Sequence, residues 1–223
     1  MKRTARSTRN HEAPSPPAGP ASHSGWGSSV KYFVFKVMAE EDGFIDAYPP
    51  GSPADWKFEK GISLAKDFPK GGEVAFSDNY PDDRNLYDFQ PNLMSDLLIS
   101  GRARQFIESL GITNAEWLPV VVKDHEGAVV GPDYAFLNLL GAEDAIDMAR
   151  SVYEMNHISK DQIGLIEQLA LSPDRISPDA KMFRCRTYRR LILVREDTLA
   201  AFQRAGLTGF RTYDAEGWDG VEL

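Results

Sequence analysis

The chain predicts a single α+β domain: a mixed, mainly antiparallel sheet with a few packed helices, behind a disordered N-terminal tail. Two observations carry that expectation. Strand patterns open and close the ordered part, at residues 31–38 and 209–213, with helical patterns between them. Leu191-Ile192-Leu193-Val194 is a continuous apolar run, as found in mid-sheet where both faces are covered. With 223 residues, 42% hydrophobic and 26% charged, the chain has material for one substantial core.

Residues 1–29 are rich in Pro, Ser, Ala and Gly and have no apolar periodicity, which predicts a flexible tail. No apolar run follows the basic start, so it does not read as a signal peptide. Pro14, Pro16, Pro17 and Pro20 would break the amphipathic helix of a transit peptide. A start codon set too far upstream is the alternative. The tail carries Lys2, Arg3, Arg6 and Arg9 against Glu12, so of the overall −8 about −11 falls on residues 30–223. An acidic body repels nucleic acid and favours basic partners.

Residues 31–38 alternate Phe33, Phe35 and Val37 with Tyr32, Val34 and Lys36, giving a strand with one strongly apolar face. Turn formers then dominate to Pro81, with one short strand at 73–77 and with Trp56, Phe58 and Phe68 as apolar anchors. A long helix is expected over 92–110, capped by Asn92, striped by Leu93, Leu97, Ala103, Phe106, Ile107 and Leu110, and open to splitting at Gly101. Residues 117–122 read as a strand that Pro119 confines to an edge or a strand start. Asp124-His125-Glu126-Gly127 is a turn into the apolar stretches 128–130 and 134–140, and 144–148 is a short helix or turn. Residues 163–171 fit either helix or strand. Residues 182–194 are one long strand or two strands bent at Arg189-Arg190. Glu196 and Asp197 open a helix in which Leu199 and Phe202 face inward, and Gly206 ends it.

Chemistry is sparse. None of His11, His23, His125 and His157 has a His or Cys partner at metal-ligand spacing, and no phosphate loop or nucleophile elbow is present. Cys185 alternates with Phe183 and Thr187 and reads as a buried small hydrophobe; a lone cysteine also fits a reducing compartment. No apolar run is long enough for a membrane helix. Lys181, Arg184, Arg186, Arg189, Arg190 and Arg195 form a basic cluster. It reads either as a nucleic-acid patch or as a polar strand face, with Arg184, Arg186 and Tyr188 outward and paired to carboxylates. Asp82-Asp83 and Asp144 with Asp147 are carboxylate pairs that could serve acid/base work or a divalent metal.

Two acidic stretches contain aromatics. Residues 78–89 include Asp78, Tyr80, Asp82, Asp83, Tyr87 and Asp88; residues 213–219 include Asp214, Glu216, Trp218 and Asp219. Aromatic anchors rimmed by carboxylates suit a protein-binding surface, and these ten are the candidate partner-binding residues. The alternative is a pair of solvated loops whose aromatics tuck into the core.

From Trp117 onward the order of segments resembles a bacterial immunity-protein family, number eleven among polymorphic-toxin immunity families and formerly a domain of unknown function. Leu118-Pro119-Val120, Tyr134-Ala135-Phe136-Leu137-Asn138, Ile146-Asp147, Ser151, Met182-Phe183-Arg184, residues 191–194 and Gly206-Leu207-Thr208-Gly209-Phe210 carry it. Arg195 departs from it, standing where the family often has a small helix-capping residue. The resemblance implies a cytoplasmic antidote that binds a cognate toxin, often a nuclease, and blocks it by occlusion. Such an antidote needs no catalysis of its own; from the residues no cofactor, metal, membrane or direct nucleic-acid contact is expected, and the acidic body makes the expected toxin partner basic. The rival expectations are an enzyme with an unrecognised carboxylate/His site and a nucleic-acid-binding module built on the arginine cluster.

Overall fold

The computed structural model describes residues 30–38, 44–82 and 84–221; the tail expected over 1–29 lies outside them. Eleven strands and two α-helices are described: β1 Tyr32–Val37, β2 Gly72–Ala75, β3 Phe89–Gln90, β4 Leu98–Ser100, α1 Gly101–Ser109, β5 Ala115–Lys123, β6 Val129–Leu139, β7 Val152–Met155, β8 Ile163–Gln168, β9 Met182–Arg184, β10 Ile192–Arg195, α2 Glu196–Arg204 and β11 Phe210–Asp214. They form a four-stranded sheet ordered β11-β1-β10-β9, a five-stranded sheet ordered β2-β5-β6-β4-β3 and a β7-β8 hairpin. Of these pairings β2 with β5 is parallel and the rest are antiparallel, the mixed α+β architecture expected.

Three apolar clusters hold these layers. Strand alternation sends Leu191 and Leu193 to one face of the four-stranded sheet, against Ile163 and Ile166 of the hairpin. The intervening Ile192 and Val194 face the other way, joining Leu199 and Phe202 of α2, Ala103 and Ile107 of α1, and Leu137 and Leu139 of β6. Both faces of β10 are therefore covered, and it lies between β1 and β9, which explains its unbroken apolar run. The far face of the five-stranded sheet packs Leu118, Val120 and Phe136 against Phe58, Leu64 and Phe68 of the long connection. Phe58 and Phe68 anchor that connection as expected, but Trp56 is 56% exposed, with the Lys60 ammonium 4.3 Å from its ring centroid.

The long helix expected over 92–110 is a strand followed by a short helix. Leu97 and Ile99 enter one cluster and Leu98 the other, so this stretch alternates at period two, and Leu93 is left 57% exposed. Asn92 caps no helix; its buried amide spans a loop, donating to Gln90 O (2.9 Å) and Asp96 O (2.7 Å). The helix begins at Gly101, where Ser100 Oγ accepts from Ala103 N–H, and a Cβ on Gly101 would sit 1.8 Å from an Asp133 carboxylate oxygen. Residues 128–130 and 134–140 prove to be nearly all one strand, β6. Pro119 sits within β5, an inner strand, one residue before pairing with β2 begins at Val120. Residues 163–168 settle as strand, and 182–195 as the two strands β9 and β10 around a turn closed by Leu191 N–H to Tyr188 O. At the N-cap of α2, Arg195 gives no side-chain cap; Asp197 instead accepts from Thr198 N–H (2.8 Å).

Candidate partner-binding surface

The first acidic stretch divides in two. Asp78, Tyr80 and Asp82 are exposed in the turn after β2, whereas Asp83 lies outside the described residues. Tyr80 packs against Phe44 with ring centroids 5.3 Å apart, and its carbonyl lies 3.0 Å from His125 Nε2. Two turns distant in sequence are thus one surface. Asp124 organises the second, accepting from Glu126 N–H (3.0 Å) and Ala128 N–H (2.8 Å). Between the turns runs a groove of about 680 Å³ beside edge strand β2. Asp46, Glu73, Asp78 and Asp124 line it against one lysine, Lys123, whose ammonium is 2.6 Å from Glu73. The groove is therefore negative, with a half-buried histidine, His125, in its wall.

The rest of that stretch turns inward. Asp88 is 7% exposed, and Arg102 clasps both its oxygens while Ser100 Oγ (2.8 Å) and Thr208 N–H (3.0 Å) donate to it. Burial alone would push the Asp88 carboxyl up, but the bonds from Arg102, Ser100 and Thr208 outweigh it and hold it below the usual carboxylate range. Tyr87 is half-buried, and its carbonyl accepts from the Tyr134 hydroxyl (2.8 Å). These two residues tie the five-stranded sheet to the loop after α2.

The second stretch behaves like the inward half. Trp218 is 7% exposed in the cluster beneath the hairpin, with Lys36 Nζ 5.6 Å from its ring centroid. Its carbonyl accepts from Leu169 N–H (2.8 Å), and Gly217 N–H donates back to Leu169 O (2.7 Å). Glu216, though exposed, accepts from Leu171 N–H (2.9 Å) and from Arg150 (2.9 Å). Asp214 and Asp219 remain exposed. The structure does not merge the two stretches: one borders the β2 edge, the other closes the root of the β7-β8 hairpin.

The basic cluster is dispersed among internal partners. Arg190 meets Glu59 (2.9 Å), Arg195 meets Asp197 (2.8 Å) and Arg189 approaches Asp161 (3.9 Å). Arg184, expected to point outward, is instead buried with its side chain 3% exposed and 2.8 Å from Asp96, whose other oxygen accepts from the Tyr48 hydroxyl. Burial and that carboxylate push the Tyr48 hydroxyl well up. Sequence reading missed this interior pair, although one signal was present: Arg184 alternates with Phe183 onto the face of Met182, the face that enters the shared core. The carboxylates of Asp144 and Asp147 are likewise engaged, by Arg175 (3.2 Å) and Arg150 (2.8 Å). Cys185 is fully buried as expected, and burial pushes its thiol well up, away from nucleophilic use.

Among the described residues no helix is long and apolar enough to cross a membrane, and no cluster of three or more His, Cys, Asp or Glu side chains could hold a metal ion. No curated protein matches the chain. A family profile does match it, over residues 21–217, spanning the groove, both sheets and the hairpin. The chain belongs to the Immunity protein family (Imm11).

Proposed function

We propose that this protein neutralises a cognate bacterial toxin of basic charge, such as a nuclease, by binding it and covering the surface that engages its substrate. The observation that carries the reading is the negative groove beside β2, where Asp46, Glu73, Asp78 and Asp124 face one lysine. A nuclease holds its substrate with cationic side chains, so an acidic inhibitor is drawn to the same track and raises the encounter rate. Exposed Tyr80, 43% accessible and next in sequence to the groove-lining Asn79, supplies an aromatic contact. Asp82 and Asp214 add to the steering field from exposed positions. Inhibition by occlusion requires no chemistry from this chain, in keeping with a family of immunity proteins. The arginine cluster does not favour nucleic-acid binding, because Arg184, Arg190 and Arg195 already meet carboxylates.

The test is co-expression with the neighbouring open reading frame, scoring growth and co-purification. Rescue from a toxic neighbour together with a stoichiometric complex is the expected result. Toxicity that this protein does not relieve would overturn the reading.

A further inference from the structure

We propose that the outer face of the β7-β8 hairpin is an apolar docking surface for the toxin, separate from the acidic groove; this rests on the toxin-neutralising reading above. The hairpin has two unlike faces. Tyr153 and Ile166 sit opposite each other and turn toward the core, where Ile166 is 1% exposed. The next pair, Glu154 and Leu165, faces away, and Val152 beside it pairs with Gln168. Leu165 is 48% exposed and Val152 46%, and Ile158 at the tip is 93% exposed. Val152 and Leu165 on this face and Ile158 at its tip are three of the thirteen large hydrophobics exposed among the described residues, whereas Met155, 36% exposed, pairs with the buried Ile163 on the core side.

Looseness does not explain the patch. The tip is tightly built: Asn156 Oδ1 accepts from Ile158 N–H (2.8 Å) and Ser159 N–H (2.9 Å), which holds Ile158 out on a closed turn. The root is fixed by the C-terminal stretch, and Gly220 lies so close that a Cβ there would sit 2.4 Å from Ile166 O. The hairpin is thus an anchored platform. The second edge of β7 pairs with no other described strand.

Charge identifies the occupant. Glu154, Asp161 and Glu167 rim the patch on exposed positions, with Lys160 and Arg189, the latter 3.9 Å from Asp161, as opposing charges, so the rim stays net negative. A second copy docked two-fold on the same face would bring like carboxylates together, which costs affinity. A partner with an apolar centre and a basic rim meets no such penalty, and that is the chemistry expected of the toxin. Rim charges set the association rate, whereas buried apolar anchors set dissociation. The hairpin should therefore hold what the acidic field attracts.

The decisive experiment measures binding kinetics between the full chain and a catalytically inactivated form of the polypeptide encoded by the neighbouring toxin gene. Leu165→Ser combined with Ile158→Ser is expected to raise the Kd at least tenfold, mainly through faster dissociation. Ile158→Lys alone, at a position that contributes little to the fold, is expected to raise it severalfold with an unchanged unfolding midpoint. An unaltered Kd in both variants, with tight wild-type binding, overturns the hairpin surface and leaves the toxin reading intact. Failure of the wild type to bind overturns both. A wild-type dimer in sedimentation that Ile158→Lys dissociates would assign the face to a second copy and overturn the proposal.

Discussion

The acidic aromatic stretches 78–89 and 213–219 both set carboxylates beside aromatics, yet the outer half of the first and the Trp218 end of the second meet opposite fates. Asp78, Tyr80 and Asp82 are exposed to solvent, and Asp78 lines a negative groove. At Trp218 the indole closes the core beneath the hairpin, and Glu216 accepts a backbone hydrogen bond from Leu171. Asp88, only six residues beyond Asp82, already belongs with the second group. An aspartate beside an aromatic therefore carries no fixed meaning. What decides is whether an unpaired N–H or a guanidinium from another element waits at the position the backbone assigns to it.

The largest expected effect breaks the likeness directly. Trp218→Ala should cost about 3–5 kcal/mol in denaturant unfolding, as for other buried aromatics, whereas Tyr80→Ala should cost less than about 1 kcal/mol. Equal losses would mean that Tyr80 is as structural as Trp218. Next, Asp88→Asn should destabilise by about 2 kcal/mol, since a charged acceptor for Arg102, Ser100 and Thr208 is weakened. Because the folded-state Asp88 carboxyl is held below its unfolded value, its contribution is fully present above about pH 4 and is lost as pH falls through the lower folded value. The gap between wild type and Asp88→Asn should thus narrow on acidification; a constant gap would remove Asp88 from that linkage. The smallest effect on stability, within about 0.5 kcal/mol, is expected from Asp78→Lys with Asp82→Lys. That pair should still slow toxin association roughly tenfold at low salt and much less at high salt. An association rate that does not move would take the turn after β2 out of the steering field.

Legibility followed periodicity. The apolar run at 191–194, the two acids opening α2, Gly206 in the left-handed conformation with φ 61°, and the turn at Asp124 are local patterns, and the structure keeps them. The stretch 92–110 misleads because Leu93 and Leu97 stand four apart like a helical stripe, while Leu97, just before β4, and Leu98 and Ile99 within it are all buried, toward alternate faces. A strand covered on both sides shows no alternation of polarity, so period alone cannot separate it from a helix. The same cause hid Arg184. On an exposed strand it would be an outward charge, but here both sheet faces are packed and its partner, Asp96, comes from 88 residues away.

The sequence by itself determined the class of the fold, the covered central strand, the acidic balance of the body and the resemblance to an immunity family, because each depends on composition or on neighbours within a few residues. Only the tertiary structure decided which carboxylates remain at the surface, that Asp78 shares a groove with Asp46 and Asp124, and that the hairpin turns Leu165 and Ile158 outward. Exposure is a property of what packs against a residue. Those neighbours are brought together by long-range strand pairing, which leaves no trace in local order.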